Sequence, residues 1–174
     1  MEIRALRESD DRSAFNSGDA DLDRFLLKYA ARNQFRHHIG TTYVALEGDR
    51  ILGYATVAPG HVEIEGLPAR LRSRLPSYPL PILRLARLAV DESAQRQGVG
   101  RELLRFVLRL TLRMANDFGC IGVVVDAKPG AVEFHRRFGF FPLELIEGHS
   151  GVRPMPAALF LPLSEIEAAA NRRK

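Results

Sequence analysis

Cysteine, lysine and long apolar runs are scarce in this sequence of 174 residues. The single cysteine, Cys120, excludes an internal disulfide and a cysteine-rich metal site. Every apolar stretch is short and broken by charge or proline, so we expect no membrane span. The charged start of the chain also has no apolar signal segment. These scarcities predict a cytoplasmic protein with no metal site.

The scarcity of lysine gives the basic charge a particular chemistry. Of the 25 lysine and arginine residues, 22 are arginine, because lysine occurs only at Lys28, Lys128 and Lys174. The net charge is +4 and the isoelectric point is near 9.6. Guanidinium groups bind phosphate through two parallel hydrogen bonds, which ammonium groups cannot form. The composition therefore suits a polyphosphate cofactor or a nucleic acid, although a genome rich in G and C would also favour arginine.

Alternating strand and helix patterns predict an α/β fold, with helices on both faces of a mixed central sheet. The predicted strands are residues 2–7, 41–46, 51–57, 82–90, 121–126, 140–145 and 158–163. The predicted helices are residues 21–33, 99–118 and 131–138, with a short helix fading into a basic tail over 164–174. Five prolines in 59–81 predict a loop with at most one short helix.

A glycine-containing turn, QRQGVG at 95–100, lies between a predicted strand and the longest predicted helix. Its two glycines let the backbone approach a bulky anion, and the first N–H groups of the helix can bind that anion. Gln95, Arg96 and Gln97 would add further donors ahead of Gly98, Val99 and Gly100. The turn is neither a Walker A loop nor the dinucleotide fingerprint. It is a candidate pyrophosphate site, or else a strand-to-helix turn that merely needs small residues.

Arginine recurs at every fourth residue of the following helix, at Arg101, Arg105, Arg109 and Arg113. Such a row forms either a solvated face or a set of phosphate contacts. We assign Arg101 to the residues that bind the cofactor.

Four segments together carry a resemblance to a known family. They are LARLAVD at 85–91, QRQGVG at 95–100, VDA at 125–127 and AVEFHRRFGF at 131–140. In this order and spacing they closely resemble the GNAT superfamily of N-acetyltransferases, over about residues 82–145.

The resemblance to one branch of this superfamily covers nearly the whole chain. The additional segments are FNSG at 15–18, LDRFL at 22–26, TYV at 42–44, GYA at 53–55 and LFLPL at 159–163. These are similar to the toxins encoded beside small ribbon-helix-helix antitoxins, which acetylate the α-amine of aminoacyl-tRNA. The resemblance implies a single GNAT domain over residues 1–163, followed by the C-terminal segment 164–174.

The resemblance implies acetyl-CoA as the cosubstrate and gives roles to the motif residues. The backbone of Leu88, Ala89 and Val90 pairs with the pantetheine arm, and the turn holds the pyrophosphate through main-chain N–H groups. Phe134 and His135 lie along the pantetheine and thiol end. The amine attacks the thioester directly, and a strand N–H at or near Val90 stabilises the tetrahedral intermediate.

The resemblance also implies an acceptor and partners. Arg87 faces the acceptor cleft in the toxin branch. The basic groups that we assign to the tRNA backbone are Arg70, Arg72, Arg74, Arg84, Arg136 and Arg137. A ribbon-helix-helix antitoxin and a homodimer are the expected protein partners. The row Leu104, Leu108 and Leu112 could contribute to the dimer or could cover the sheet.

His135 departs from the family pattern, which has a tyrosine at this position to protonate the leaving thiolate. An ordinary imidazole loses its proton near pH 6.5, whereas a phenol keeps its proton to about pH 10. His135 could act as the acid, solvent could protonate the thiolate, or catalysis could be impaired. We favour His135 as the acid, with activity falling as pH rises through the imidazole pKa.

Two other functions remain open from the sequence. The first is a GNAT enzyme that acetylates a small-molecule amine or a protein N-terminus. The second is a catalytically degenerate GNAT fold that only binds an antitoxin or another partner.

Overall fold

The computed structural model describes residues 1–143 and 157–172, in which the strands form a seven-stranded sheet of order β1-β2-β3-β4-β5-β7-β6. The strands are β1 (Glu2–Ala5), β2 (Thr41–Glu47), β3 (Arg50–Val62), β4 (Leu80–Val90), β5 (Gly122–Ala127), β6 (Phe141–Pro142) and β7 (Ala157–Pro162). Antiparallel pairs join β1 to β2, β2 to β3, β5 to β7 and β6 to β7. The predicted mixed sheet flanked by helices is confirmed.

The α-helices of the described residues comprise one long helix and several short ones. They are α1 (Ala20–Arg24), α2 (Ala30–Arg32), α3 (Ala69–Arg72), α4 (Val99–Asp117), α5 (Val132–Arg136) and α6 (Leu163–Asn171). Two π-helical turns, Phe25–Tyr29 and Asn33–His37, continue α1 and α2, so helical backbone extends over residues 20–37. The Asp19 side chain caps this run by accepting hydrogen bonds from the N–H groups of Asp21 and Leu22.

The proline-rich segment contains more strand than the sequence predicted. β3 continues through Pro59, and β4 begins before Pro81. Proline lacks an N–H group but keeps its carbonyl, and the carbonyl of Pro81 accepts a hydrogen bond of 2.9 Å from Ile121 N–H. The prediction of a loop was therefore wrong at both ends of the segment. Between them lie a 3₁₀-helical turn, Ile64–Gly66, and the short helix α3, where at most one short helix was expected.

The chain folds into two compact units, of which the first comprises Met1–Ala58 and Leu85–Arg109. Its core includes Phe25, Leu26, Val44 and Tyr54, all of which are buried. The predicted hairpin between β2 and β3 is confirmed, and Gly48 takes the left-handed conformation of its turn at φ 59°.

The second unit comprises Pro59–Arg84 and Leu110–Lys174. Its core includes Leu80, Ile82, Val124 and Phe160. The apolar β5 lies inside the sheet order, as its composition predicted. Cys120 is a buried free thiol, as expected, and burial raises its pKa.

Two predictions reach the limits of the described residues. The strand predicted over 140–145 is observed as β6, and its last two predicted residues lie outside the described ranges. The last two residues of the predicted C-terminal tail also lie outside them. The division of the chain at residue 163 stays a prediction. Within residues 1–143 and 157–172, no helix is both long and apolar enough to cross a membrane.

Candidate functional site

The turn after β4 has the backbone geometry of an anion site. Arg96 and Gly98 both have positive φ angles, of 61° and 90°. The carbonyl of Gly98 accepts a 3.0 Å hydrogen bond from Glu102 N–H, so the helical ladder of α4 begins there. The N–H groups of residues 99–101 precede that ladder, at the positive end of the helix dipole. This arrangement fits a pyrophosphate group.

Asp91 fixes the way in which β4 enters this turn. Its carboxylate is buried and accepts hydrogen bonds of 3.1 Å from the backbone N–H groups of Asn16 and Ser93. Arg50 Nη2 donates to the same carboxylate at 3.1 Å. Burial acts to raise the pKa of Asp91, but the hydrogen bonds from Ser93 and Asn16 outweigh it and hold the pKa below its ordinary value. Sequence reasoning gave Asp91 no role, although a serine two residues after a strand-end aspartate is a turn signal.

The two glutamines of the turn brace its backbone. Gln95 Nε2 donates to the carbonyls of Ser17 and Val90 at 3.0 Å each, and Gln97 Nε2 donates to the carbonyl of Ser93 at 2.8 Å. An anion here would therefore meet main-chain N–H groups before these amides. Direct cofactor contact by the two glutamine side chains stays a prediction.

Basic side chains flank the turn. Arg96 and Arg101 are exposed, and Arg101 Nε lies 3.8 Å from Glu102 Oε1. An ion pair this exposed contributes little to stability, so Arg101 can turn toward a phosphate at small cost.

Arg87 lies against an aromatic cluster in the same unit. Its Cζ is 3.7 Å from the ring centroid of Phe25, which is the distance of a close cation–π contact. Phe25 stacks on Tyr54 at 6.2 Å, and Phe15 meets Tyr54 edge-on at 5.6 Å. Sequence reasoning missed this support, because Phe25 and Arg87 are far apart along the chain.

His135 lies on α5 in the second unit, where its side chain is only 2% exposed. The rings of Phe134 and Phe140 meet the imidazole edge-on at 5.1 and 5.4 Å. Burial lowers the pKa of His135 to about 4, so the imidazole is neutral at pH 7. Its Nδ1 has no hydrogen-bond partner among the described residues.

This environment changes the expected chemistry of His135. With a pKa of about 4, an imidazolium acid is almost absent at neutral pH. The reason for expecting activity to fall near pH 6.5 is therefore removed. A role for the neutral imidazole stays a prediction.

The arginines assigned to tRNA all lie in the second unit, and most are exposed. The exposed members are Arg70, Arg72, Arg74, Arg136 and Arg137. Arg84 instead donates from Nη1 to Asp126 Oδ2 at 2.6 Å, so its charge is already paired. Arg70 Cζ lies 5.5 Å from the Phe141 ring centroid. Arg72 helps to line a cavity of about 500 Å³.

The leucine row of α4 is partly a core feature. Leu104 is fully buried, whereas Leu108 and Leu112 are half-buried. Burial of Leu104 fits the alternative in which the row packs inside the protein. The homodimer stays a prediction.

Known proteins resemble this chain in both sequence and structure. A tRNA-acetylating toxin from Mycobacterium tuberculosis is 32% identical over 124 residues, which cover 71% of this chain and 74% of that toxin. AtaT complexed with acetyl-methionyl-tRNAfMet is 28% identical with a TM-score of 0.85, over 97% of this chain and 98% of that chain.

A second AtaT structure is a tyrosine-to-phenylalanine variant bound to acetyl-CoA and to the C-terminus of the antitoxin AtaR. It is 28% identical with a TM-score of 0.78, over 98% of this chain and 97% of that chain. The model of the acetyltransferase (GNAT) family matches residues 2–140, which include β4, the turn, α4 and α5. This chain therefore belongs to the GNAT family of acetyltransferases.

Proposed function

We propose that this chain transfers an acetyl group from acetyl-CoA to the α-amine of an aminoacyl-tRNA and so blocks translation. Charged tRNA is supported as the acceptor by one observation. This chain is similar, over nearly all of both chains, to AtaT complexed with acetyl-methionyl-tRNAfMet. The similar Mycobacterium tuberculosis protein is a tRNA-acetylating toxin. Because charged tRNA is a cytoplasmic substrate, we propose the same location for this enzyme.

The turn after β4 supports the proposed binding of acetyl-CoA. Main-chain N–H groups at its end and in the first turn of α4 would hold the pyrophosphate, aided by the helix dipole. Residues 88–90 would pair through their backbone with the pantetheine arm. The bonds made by Asp91, Gln95 and Gln97 hold the turn in place, which reduces the entropy lost when the cosubstrate binds.

The proposed reaction needs no enzyme nucleophile. The neutral α-amine attacks the thioester carbonyl, a C–N bond forms, and the C–S bond breaks with the electron pair leaving on sulfur. A backbone N–H at or near Val90 stabilises the oxyanion. The amine loses one proton and the thiolate gains one. His135 Nδ1 has no hydrogen-bond partner within the described part of the chain, which supports a role for the neutral imidazole as a hydrogen-bonding group near the sulfur, with solvent supplying the proton.

Exposed arginines support the proposed tRNA contact. Arg70, Arg72, Arg74, Arg136 and Arg137 can reach phosphates without first breaking a buried ion pair, whereas Arg84 would have to leave Asp126. We assign Arg87 to the acceptor end. The AtaT complex with AtaR supports an antitoxin partner, which we propose is of the ribbon-helix-helix type, and we propose a homodimer.

Transfer of labelled acetyl groups tests the proposal. Purified protein is incubated with labelled acetyl-CoA and, separately, with charged tRNA, uncharged tRNA and a panel of small amines. We expect label only on charged tRNA. Label on a small amine alone would keep the acetyltransferase and overturn the acceptor. Bound acetyl-CoA with no transfer to any acceptor would favour a binding module.

A further inference from the structure

The helical run 20–37 and the two residues that follow it carry an exposed surface that the proposed reaction does not use. We call it the aromatic–basic face and define it by Lys28, Tyr29, Arg32, Phe35, Arg36 and Ile39. All six side chains are exposed, Ile39 by 62%, Tyr29 by 37% and Phe35 by 36%. Large apolar side chains clustered in this way mark a binding surface more often than scattered ones do.

The opposite side of the same run is fixed against the first unit. Phe25, Leu26 and Ala30 are buried in the core of that unit. Gln34 donates from Nε2 to the Leu6 carbonyl at 3.1 Å and accepts from Thr42 N–H at 2.8 Å. The aromatic–basic face is therefore held outward by a rigid support.

The charge of this face is of one sign. No aspartate or glutamate occurs between Arg24 and Leu46. The guanidinium of Arg32 lies over the ring of Tyr29, with Cζ 5.0 Å from the centroid. Exposed rings among cations, in a stretch of chain that contains no carboxylate, match the stacking platforms of single-stranded nucleic acids.

Two further features connect this face with the acceptor. Tyr29 and Phe35 each lie in a π-helical turn, and such turns are frequent at functional sites. The turn that holds Tyr29 begins with Phe25, the ring on which Arg87 lies. The resemblance assigns Arg87 to the acceptor cleft.

We infer that the aromatic–basic face binds the single-stranded 3′ end of charged tRNA. Bases stack on Tyr29 and Phe35, while Lys28, Arg32 and Arg36 contact the phosphates. The inference rests on the proposed function and adds to it a binding surface in the first unit.

Two double variants and their controls test the inference. Tyr29→Leu with Phe35→Leu removes the rings but keeps apolar side chains, and Arg32→Ala with Arg36→Ala removes two charges. Phe118→Leu and Arg7→Ala change exposed residues of the same types outside the face. Binding of charged tRNA is measured over a series of salt concentrations, together with thermal melting and acetyl-CoA binding.

We expect the aromatic double variant to bind charged tRNA roughly tenfold more weakly. The logarithm of the binding constant falls as the logarithm of the salt concentration rises. The arginine double variant should make this fall shallower by roughly 1.4 in slope, since each phosphate contact on a single strand contributes about 0.7. In both double variants, the melting temperature and acetyl-CoA binding should match those of wild type. Both control variants should match wild type in all three measurements.

The contrary outcomes separate this inference from the proposed function. If wild type acetylates charged tRNA and both double variants bind it equally well, the face is not the site, although the function stands. If the variants change only the oligomeric state, the face is an interface between copies, which also overturns the inference. If wild type neither binds nor acetylates charged tRNA, both proposals fail.

Discussion

The imidazole of His135 is enclosed by the rings of Phe134 and Phe140, and burial lowers its pKa to about 4. A tyrosine, the usual residue of the family at this position, is also neutral at pH 7. Histidine and tyrosine therefore differ less in charge here than their ordinary pKa values imply. In the proposed reaction, either residue would offer a neutral hydrogen-bonding group to sulfur. What the buried histidine cannot offer at pH 7 is an imidazolium proton.

The lowered pKa of His135 predicts how stability depends on pH. The unfolded imidazole takes up a proton near pH 6.5, whereas the folded one resists protonation down to about pH 4. The stability that comes from burying a neutral imidazole is complete above pH 6.5. As the pH drops below 6.5, the free energy of unfolding should decrease. The loss is about 1.4 kcal/mol per pH unit, or about 2 kcal/mol between pH 6.5 and 5. Urea unfolding at pH 7, 6 and 5 measures this loss.

His135→Phe should remove most of that pH dependence, because the ring is kept and the titrating group is lost. His61→Phe, at an exposed site, is the matched control. Asp10 and Asp91 have lowered pKa values, so their contributions are lost only below pH 3.8, outside the measured range. An undiminished pH dependence in His135→Phe would contradict the burial argument.

Asp91 gives a second prediction at the scale of one residue. Asp91→Ala leaves the N–H groups of Asn16 and Ser93 and the guanidinium of Arg50 without their shared acceptor. We expect a loss of roughly 3 kcal/mol in the free energy of unfolding. Acetyl-CoA should also bind more weakly, because the turn is less ordered.

Urea unfolding and calorimetric titration with acetyl-CoA measure the two effects of Asp91→Ala. Asp11→Ala is the control, since that exposed carboxylate accepts local hydrogen bonds from Ser13. If the folded Asp91→Ala protein binds acetyl-CoA as tightly as wild type does, the turn does not need the hydrogen bonds of Asp91 to bind the cosubstrate.

At the scale of elements, the segment from β4 to α4 was the easiest to predict. The predicted strand 82–90 and helix 99–118 differ from the observed elements by at most two residues at each end. Glycines at the turn and apolar residues at helical spacing mark these boundaries directly in the sequence. The π-helical turns leave no comparable mark, since helical periodicity is judged at 3.6 residues per turn. Pro59 and Pro81 lie in strands because of the neighbouring strands they pair with, which the local sequence does not reveal.

Gly98 gives a prediction for the turn as an element. Its φ angle of 90° is one that a residue with a Cβ rarely adopts. A Cβ there would lie 3.3 Å from the flexible end of Arg101, so the main obstacle is the backbone conformation. We expect Gly98→Ala to cost about 1–2 kcal/mol of stability and to weaken acetyl-CoA binding by roughly tenfold. Calorimetric titration and urea unfolding measure both.

The control for Gly98→Ala is Gly130→Ala, where an added Cβ meets no atom within 4 Å. Equal acetyl-CoA affinity in these two variants would contradict the assignment of the turn to the pyrophosphate.

At the scale of the whole molecule, the sequence predicted the mixed sheet and the family, because both depend on local patterns in a fixed order. It could not predict contacts between residues far apart in the chain. Phe25 beneath Arg87, Asn16 on Asp91, and Asp126 beside Arg84 are such contacts. Such contacts determine which charged side chains are fixed against other residues or already paired with an opposite charge. They therefore determine which charged side chains remain able to bind a ligand.

The measurement that tests the central claim most directly is the position of the transferred acetyl group. Charged tRNA is incubated with protein and acetyl-CoA, then digested, and the released aminoacyl-adenosine is weighed and fragmented by mass spectrometry. We expect one added acetyl group, on the α-amine of the amino acid. Acetylation elsewhere on the tRNA, or unmodified aminoacyl-adenosine alongside an acetylated small amine, would contradict the proposed reaction.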